Sequence, residues 1–279
     1  MTGAVGFARL AISVSGETQI IPGRLEMLSD RCSRVGEICA CALVKLYCVH
    51  IPPVSFGEGV RSRPQGRLLC FQEVFLKTNV YVDGFNLYYG ALKSTPYRWL
   101  DIARLCQVML PQDTVGQIKY FTALVNPRPN NPGQLTRQQI YLRALQTIAD
   151  IQIIYGHFLT HEIMMPLAPP QTGYVRVIKT EEKGSDVNLA LHLLSDGYKN
   201  AYDVAVIISN DSDLLLPIQF VKKELGKKIG ILNPQKHPSK ALIANADFIK
   251  NIRKGALSKS LFPTSLTDSE GTFAKPASW

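Results

Sequence analysis

The chain lacks any apolar run of the roughly 18 to 20 residues that a membrane-spanning helix needs. The nearest, Ile38 to Val49, is short and broken by Lys45. Met1 to Leu10 has no basic segment followed by a long apolar one, which argues against a secretory signal and makes a cytoplasmic protein the expectation. Cysteine is scarce in the larger part of the chain: Cys32, Cys39, Cys41, Cys48 and Cys70 come early, and after them only Cys106. Cys39-Ala40-Cys41 with isolated neighbours does not give the spacing of about two to four residues that zinc sites use, so zinc is not expected. No glycine fingerprint follows the first clear strand, which disfavours a dinucleotide cofactor. Acids are outnumbered, 22 against 31 Lys and Arg, and the resulting net charge of +9 favours polyanionic partners such as nucleic acid over acidic surfaces. With 46% hydrophobic residues the chain has ample material for a buried core.

What is present is an α/β alternation that begins near residue 77. Residues 1–76 show no sustained helical or strand period and include a basic, loop-like Gly57 to Arg67; they read as an N-terminal extension of unassigned, poorly ordered structure. Asn79 to Val82 has the β-branched and aromatic content of a buried strand, and it stops on Asp83-Gly84. Downstream, Leu87 to Leu92 and Leu100 to Leu110 read as helices, the second capped by Asp101 and stopped by Pro111. Ile118 to Val125 is a strand, Thr136 to Ala149 a helix and Ile151 to Phe158 a third strand, which makes a right-handed βαβ unit. Thr160 to Gly173 reads as an insertion, followed by an exposed strand at Tyr174 to Lys179. A helix from Ser185 ends at Gly197, Asp203 to Ile208 is the clearest buried strand, and Leu214 to Val221 follows as a helix that Gly226 ends. Lys227 to Leu232 is the last expected strand and Ser239 to Ile252 the last helix. The expected boundaries are 1–76 extension, 77–255 domain and 256–279 polar, loose tail.

Four acids recur in equivalent settings. Asp83 and Asp211 end parallel strands, while Asp186 and Asp213 open helices that start from the same sheet edge, the edge where α/β proteins bind ligands. Each alone is equally well a turn former or a helix cap. Together they should converge, and several carboxylates remain ionised at close quarters only beside a cation; an oxygen-only set favours Mg²⁺ or Mn²⁺. Such an ion activates water and stabilises a departing oxyanion, the chemistry of phosphodiester hydrolysis. Lys222, Lys223, Lys227 and Lys228 belong to a basic stretch that would attract a phosphate backbone, or are simply a solvated face. Tyr88, Tyr89 and Tyr97 either stack unpaired bases or pack in the core. His157 and His161, four apart, would suit a metal only on a helix, and the β-rich context argues for a structural or solvent-facing role.

Val82-Asp83-Gly84-Phe85-Asn86, Lys179-Thr180-Glu181-Glu182-Lys183-Gly184-Ser185-Asp186-Val187-Asn188-Leu189-Ala190 and Ile208-Ser209-Asn210-Asp211-Ser212-Asp213 resemble the three acidic motifs of the NYN domain family, of the LabA/DUF88 type within the PIN-like nucleases. The resemblance implies a three-layer α/β/α fold with a central, mainly parallel sheet. It also implies a Mg²⁺- or Mn²⁺-dependent ribonuclease site at Asp83, Asp186, Asp211 and Asp213, acting on single-stranded or structured RNA. Asn86 would help hold the first acid or the scissile phosphate, with Ser209, Asn210 and Asp247 standing behind the acids and Lys183 joining the four lysines above on the RNA. Asn210 stands where many members have glycine, a position asparagine tolerates because it adopts left-handed backbone. A catalytically idle RNA-binding or regulatory module is the alternative, and a homo-oligomer is compatible with either.

Overall fold

The computed structural model describes the backbone of residues 8–14, 17–23, 46–50, 68–72, 76–127 and 131–279, with side chains from residue 76 onward. The chain divides into two units, Met1–Glu73 and Val74–Trp279. In the first, β1 (Ala8–Val14) pairs antiparallel with β2 (Glu17–Gly23), and β3 (Leu46–His50) with β4 (Leu68–Gln72). The expected loop at Gly57 to Arg67 lies outside the described residues.

The second unit is an α/β domain. Its elements run β5 (Lys77–Asp83), α1 (Gly84–Leu87) continuing into a π-turn at Tyr88–Leu92, α2 (Ile102–Met109), β6 (Thr114–Thr122), α3 (Gln134–Gln146) and β7 (Ile151–Tyr155). An antiparallel hairpin follows, β8 (His157–Pro166) and β9 (Tyr174–Lys183), then α4 (Ser185–Tyr198), β10 (Val204–Ile208), α5 (Leu215–Lys223), β11 (Lys228–Asn233), α6 (Lys240–Asn245) and β12 (Phe248–Asn251). The carboxyl-terminal part holds α7 (Lys254–Ser258) and the hairpin β13 (Ser265–Asp268) with β14 (Gly271–Ala274).

Six strands form one parallel sheet in the order β12-β11-β10-β5-β6-β7. The chain starts in the middle at β5, builds outward through β6 and β7, then returns to place β10 on the other side of β5, so β5 and β10 flank the switch point of the topology. Alternation along the strands separates two cores. Val80, Val82, Val204, Val206 and Ile208 face the side covered by α2, α3 and α7, with Trp99, Leu105 and Leu145. Tyr81, Ala205 and Ile207 face Leu189 and Leu193 of α4 and Ile218 and Val221 of α5. The result is the three-layer α/β/α arrangement expected from the sequence. Between β6 and α4, Lys119 donates to Asp196 at 2.6 Å and Tyr81 Oη donates to the same oxygen at 2.7 Å, so this buried charge is paired rather than orphaned.

Several boundaries differ from the sequence expectation. Gly197 lies inside α4, which runs on to Tyr198. The expected strand Ile151 to Phe158 divides at Gly156, where the chain leaves the sheet; the expected insertion Thr160 to Gly173 supplies most of β8 and the turn, and the expected exposed strand at Tyr174 runs on to Lys183 as β9, its antiparallel partner. Ser239 to Ile252 is not one helix: α6 ends at Asn245, and Phe248–Asn251 adds an edge strand to the sheet. The tail after Lys254 is ordered onto the domain. Trp99 is buried, donates its indole N–H to the Pro263 carbonyl at 2.7 Å and has Phe262 and Trp279 within 5.7 and 6.4 Å. Arg143 of α3 forms a bidentate pair with Asp268, both contacts at 2.7 Å. Among the described residues no helix is long and apolar enough to cross a membrane.

Deleting residues 259–279 should therefore cost about 3 kcal/mol or more of stability, since it uncovers Trp99 and Tyr141. Deleting residues 1–75 should leave a unit that still unfolds cooperatively in urea. An unchanged midpoint in the first truncation would mean that the tail does not support the core.

Candidate active site

Asp83 ends β5 directly beneath the cleft. It is only 5% exposed, and its two oxygens are fixed from different segments: Oδ1 accepts the Asn86 N–H at 2.9 Å, and Oδ2 accepts the Ser209 hydroxyl at 3.0 Å. Burial raises its pKa, the Asn86 and Ser209 hydrogen bonds oppose the rise, and the Asp211 charge adds to it. Gly84 follows because a Cβ there would come within 2.7 Å of the Phe121 carbonyl and the Tyr120 ring; close approach to β6, not a special backbone angle, requires the glycine.

Ser209 is completely buried and links the acids: its Oγ, which donates to Asp83, accepts the backbone N–H of Asp211 at 3.1 Å. Asp211 in turn accepts the N–H of Asp213 at 2.9 Å and caps a short 3₁₀ turn. Asp186 enters from the first turn of α4, after Gly184 at φ +97°. Although one side of it reaches solvent, burial of the other side, then the charges of Asp83, Asp211, Glu182 and Asp213, push its carboxyl up to about 6.

Asp83, Asp186 and Asp211 line one cleft of about 790 Å³. Asp213 does not line it; it is exposed and contributes through its charge. Glu182, quoted within the second motif but given no role from sequence, does line it, and its Oε1 accepts both the N–H and hydroxyl of Ser185 at 3.1 and 2.7 Å. The signal was there: an acid three residues before a serine that opens a helix. Among the described residues no three His, Cys, Asp or Glu side chains approach closely enough to form a ready-made metal cage. Mg²⁺ does not require such a cage, since it is commonly held by one or two carboxylates with waters filling its octahedron. The all-oxygen donor set and the raised carboxyl pKa values fit the same group.

Asn86 lines the cleft, yet its side-chain oxygen accepts the N–H of Asn210 and the amide of Gln235, at 3.2 and 3.3 Å. It is the backbone N–H of Asn86, not its amide, that holds Asp83. Asn210 has no left-handed backbone; its amide instead pins the loop after β11, accepting the Ser239 N–H at 2.7 Å and donating to the His237 carbonyl at 3.0 Å.

Three expectations are corrected. Asp247 precedes β12 at the amino-terminal edge of the sheet, opposite the acids, where it accepts the Ile229 N–H at 2.7 Å and pairs with Lys222 at 3.0 Å. Lys222 and Lys223 close α5, and Lys227 and Lys228 lie at the start of β11, so all four sit at that same far edge. Lys183 does lie near the site, but it is paired with Glu181 at 3.0 Å, and no Lys or Arg is among the described residues that line the cleft. His157 and His161 lie on strand β8, where four residues span roughly 13 Å, too far for one ion. Of the tyrosines, Tyr88 and Tyr97 pack against the core, whereas Tyr89 lines the cleft with 58% of its surface exposed.

The Asp186 shift has a signed consequence. With a folded pKa of about 6 against an ordinary 3.8, the folded state binds the proton more tightly, so its stability falls as pH rises through that window and stays reduced above it. Asp186→Asn should raise the metal-free melting temperature at pH 7 and flatten its decline between pH 4 and 6. A melting curve that keeps the wild-type pH dependence would mean that Asp186 is an ordinary cap.

A family model described as the NYN domain matches residues 77–253. A Pseudomonas putida protein named 6-hydroxy-3-succinoylpyridine 3-monooxygenase HspA is 32% identical over 238 residues, a match covering 73% of this chain and 75% of that protein. The crystal structure of a Vibrio parahaemolyticus protein of unknown function is similar with a TM-score of 0.45 and 19% identity, over 67% of this chain and 97% of that one. The family match runs from Lys77, the first residue of β5, to Arg253, just past β12, and so contains the whole six-stranded sheet and every acid of the cleft. The chain belongs to the NYN domain family, within the PIN-like nuclease superfamily.

Proposed function

We propose that the domain is a Mg²⁺- or Mn²⁺-dependent ribonuclease that hydrolyses RNA phosphodiester bonds in the cleft above the β5/β10 switch point, in the cytoplasm. The observation that carries this reading is that Asp83, Asp186 and Asp211, from three separate segments, line one cleft, where the charges of Asp83 and Asp211 raise the proton affinity of Asp186 and that of Asp211 raises the proton affinity of Asp83. One or two of Asp83, Asp186 and Asp211, with waters, would hold the ion, which when bound would supply charge stabilisation for the phosphoryl oxygens and for the departing oxyanion.

The chain's own groups do the positioning. Ser209 and the Asn86 N–H orient the Asp83 carboxylate, and Ser209 sets the distance between the Asp83 and Asp211 segments. Glu182 is fixed through Oε1 by Ser185, which leaves Oε2 to accept a proton from the attacking water. Residues 77–255 are the catalytic unit in this reading, with the segment after them completing its core and residues 1–76 an appendage.

A second reading is favoured by the Pseudomonas relative. If this chain shared that protein's named reaction class, the cleft would hydroxylate a small heteroaromatic ring such as a succinoylpyridine, consuming O₂ and a two-electron reductant. Incubating the full chain with mixed-sequence RNA and Mn²⁺, Mg²⁺ or chelator separates the readings. The ribonuclease reading expects metal-dependent cleavage that Asp211→Asn lowers by at least about a hundredfold. RNA bound but uncut in every metal would make the domain a binding module, and O₂ consumption coupled to ring hydroxylation without RNA cleavage would establish the second reading.

A further inference from the structure

The cleft is chemically divided. Among the described residues that line it, the charged ones are the acids Asp83, Asp186, Asp211 and Glu182, and the others are uncharged. We propose that the uncharged groups bind one planar nitrogen-heteroaromatic ring, the nucleobase next to the scissile phosphate, stacked on Tyr89 and read along its edge by the side-chain amides of Asn126 and Gln134. The position of the ring rests on the ribonuclease reading above; the chemistry of the wall does not.

Apolar side chains in the cleft wall are left uncovered: Tyr89 is 58% exposed and Ile178, reaching in from the β8/β9 hairpin, 73%. Covering such surface inside a concavity is favourable, and uncovered patches of this kind mark ligand sites. The Tyr89 ring is already held, with the Tyr88 ring edge-on at 5.3 Å and the Lys93 ammonium 4.9 Å from its centre. Phe158 is likewise fixed edge-to-face on Phe85 at 5.8 Å. Aromatic groups that need no reordering on binding lose little entropy and favour a flat partner.

The polar groups point to the same ligand. Asn126 and Gln134 each offer both a donor and an acceptor, the pairing that reads the hydrogen-bonding edge of a base. Asn126 is oriented by a 3.4 Å contact from its Nδ2 to Thr160 of the hairpin, which leaves its carbonyl oxygen uninvolved. A volume of about 790 Å³ exceeds what a single ring fills and leaves room for the sugar and phosphate to reach the acids.

The test uses the full chain, titrated with uridine and adenosine 5′-monophosphates and with ribose 5-phosphate, in chelator and in Mg²⁺. Both nucleotides should bind, with ribose 5-phosphate at least about tenfold weaker; Tyr89→Ala should weaken the nucleotides by roughly five- to a hundredfold. Tyr89 is exposed, so this variant keeps the fold, and Gln134→Leu should change the ratio of the two nucleotide affinities by about tenfold. Equal binding of ribose 5-phosphate, or no effect of either variant, overturns the proposal. Tighter binding of free 3-hydroxypyridine than of either nucleotide would assign the ring to a free heterocycle and overturn the nucleobase. RNA cleavage that proceeds equally at abasic positions would sink the ring site and leave the ribonuclease reading standing. Nucleotide binding without cleavage in any metal would do the reverse.

Discussion

The site depends on one electrostatic constraint: carboxylates at the end of β5, just after β10 and at the start of α4 are held where the Asp211 charge raises the cost of ionising Asp83 and both raise that of Asp186. Asp83 bears most of the burial, and it persists there because Ser209 and the Asn86 N–H satisfy its two oxygens. The same serine accepts the Asp211 N–H, so the spacing of the acids is set by a hydrogen-bonded relay across the switch point. The surrounding layers keep this relay rigid. Parallel pairing of Ile208 with Val82 aligns the two strand ends, and the paired Lys119 and Asp196 fix α4 against β6. In the proposed function, a cation's binding energy would be partly relief of this repulsion.

Separation of charge follows from the topology. α5 leaves the acidic edge and spans roughly 13 Å before its lysines, so residues close in sequence to Asp211 finish on the far side of the sheet. The basic cluster and the acid cluster are thus two surfaces. Among the described residues, what borders the acids in the cleft is aromatic, aliphatic, hydroxyl and amide groups, some of them contributed by a hairpin that pairs with no strand of the central sheet.

The legible parts of the sequence were those set by local chemistry. A β-branched run stopping on Asp83-Gly84, a capped helix at Asp101 and the acids after Ile208 each carry their signal within a few residues. Strand order is not local, and neither the adjacency of β5 and β10 nor the placement of Lys222 and Asp247 at the opposite edge shows in spacing. The Ser239 to Ile252 stretch misled because its apolar residues suit a helix, while Phe248 and Ile249 find an open sheet edge that tertiary context supplies. The tail looked polar because its few large residues, Phe262, Phe273 and Trp279, are far apart and meet only over Trp99 and Arg143. Glu182 went unassigned because the alternation that marks Tyr174 to Lys179 as a strand stops short of it, and the pairing of that strand with β8 is not local.

The central claim, that the acids form one electrostatic unit completed by a cation, is read most directly from the side-chain carboxyl carbon of Asp186 in a pH titration by nuclear magnetic resonance. Without metal it should titrate near 6, move toward the ordinary range in Asp83→Asn or Asp211→Asn, and lose its proton at lower pH when Mg²⁺ is added. An ordinary titration that ignores the neighbouring substitutions and the ion would contradict the account.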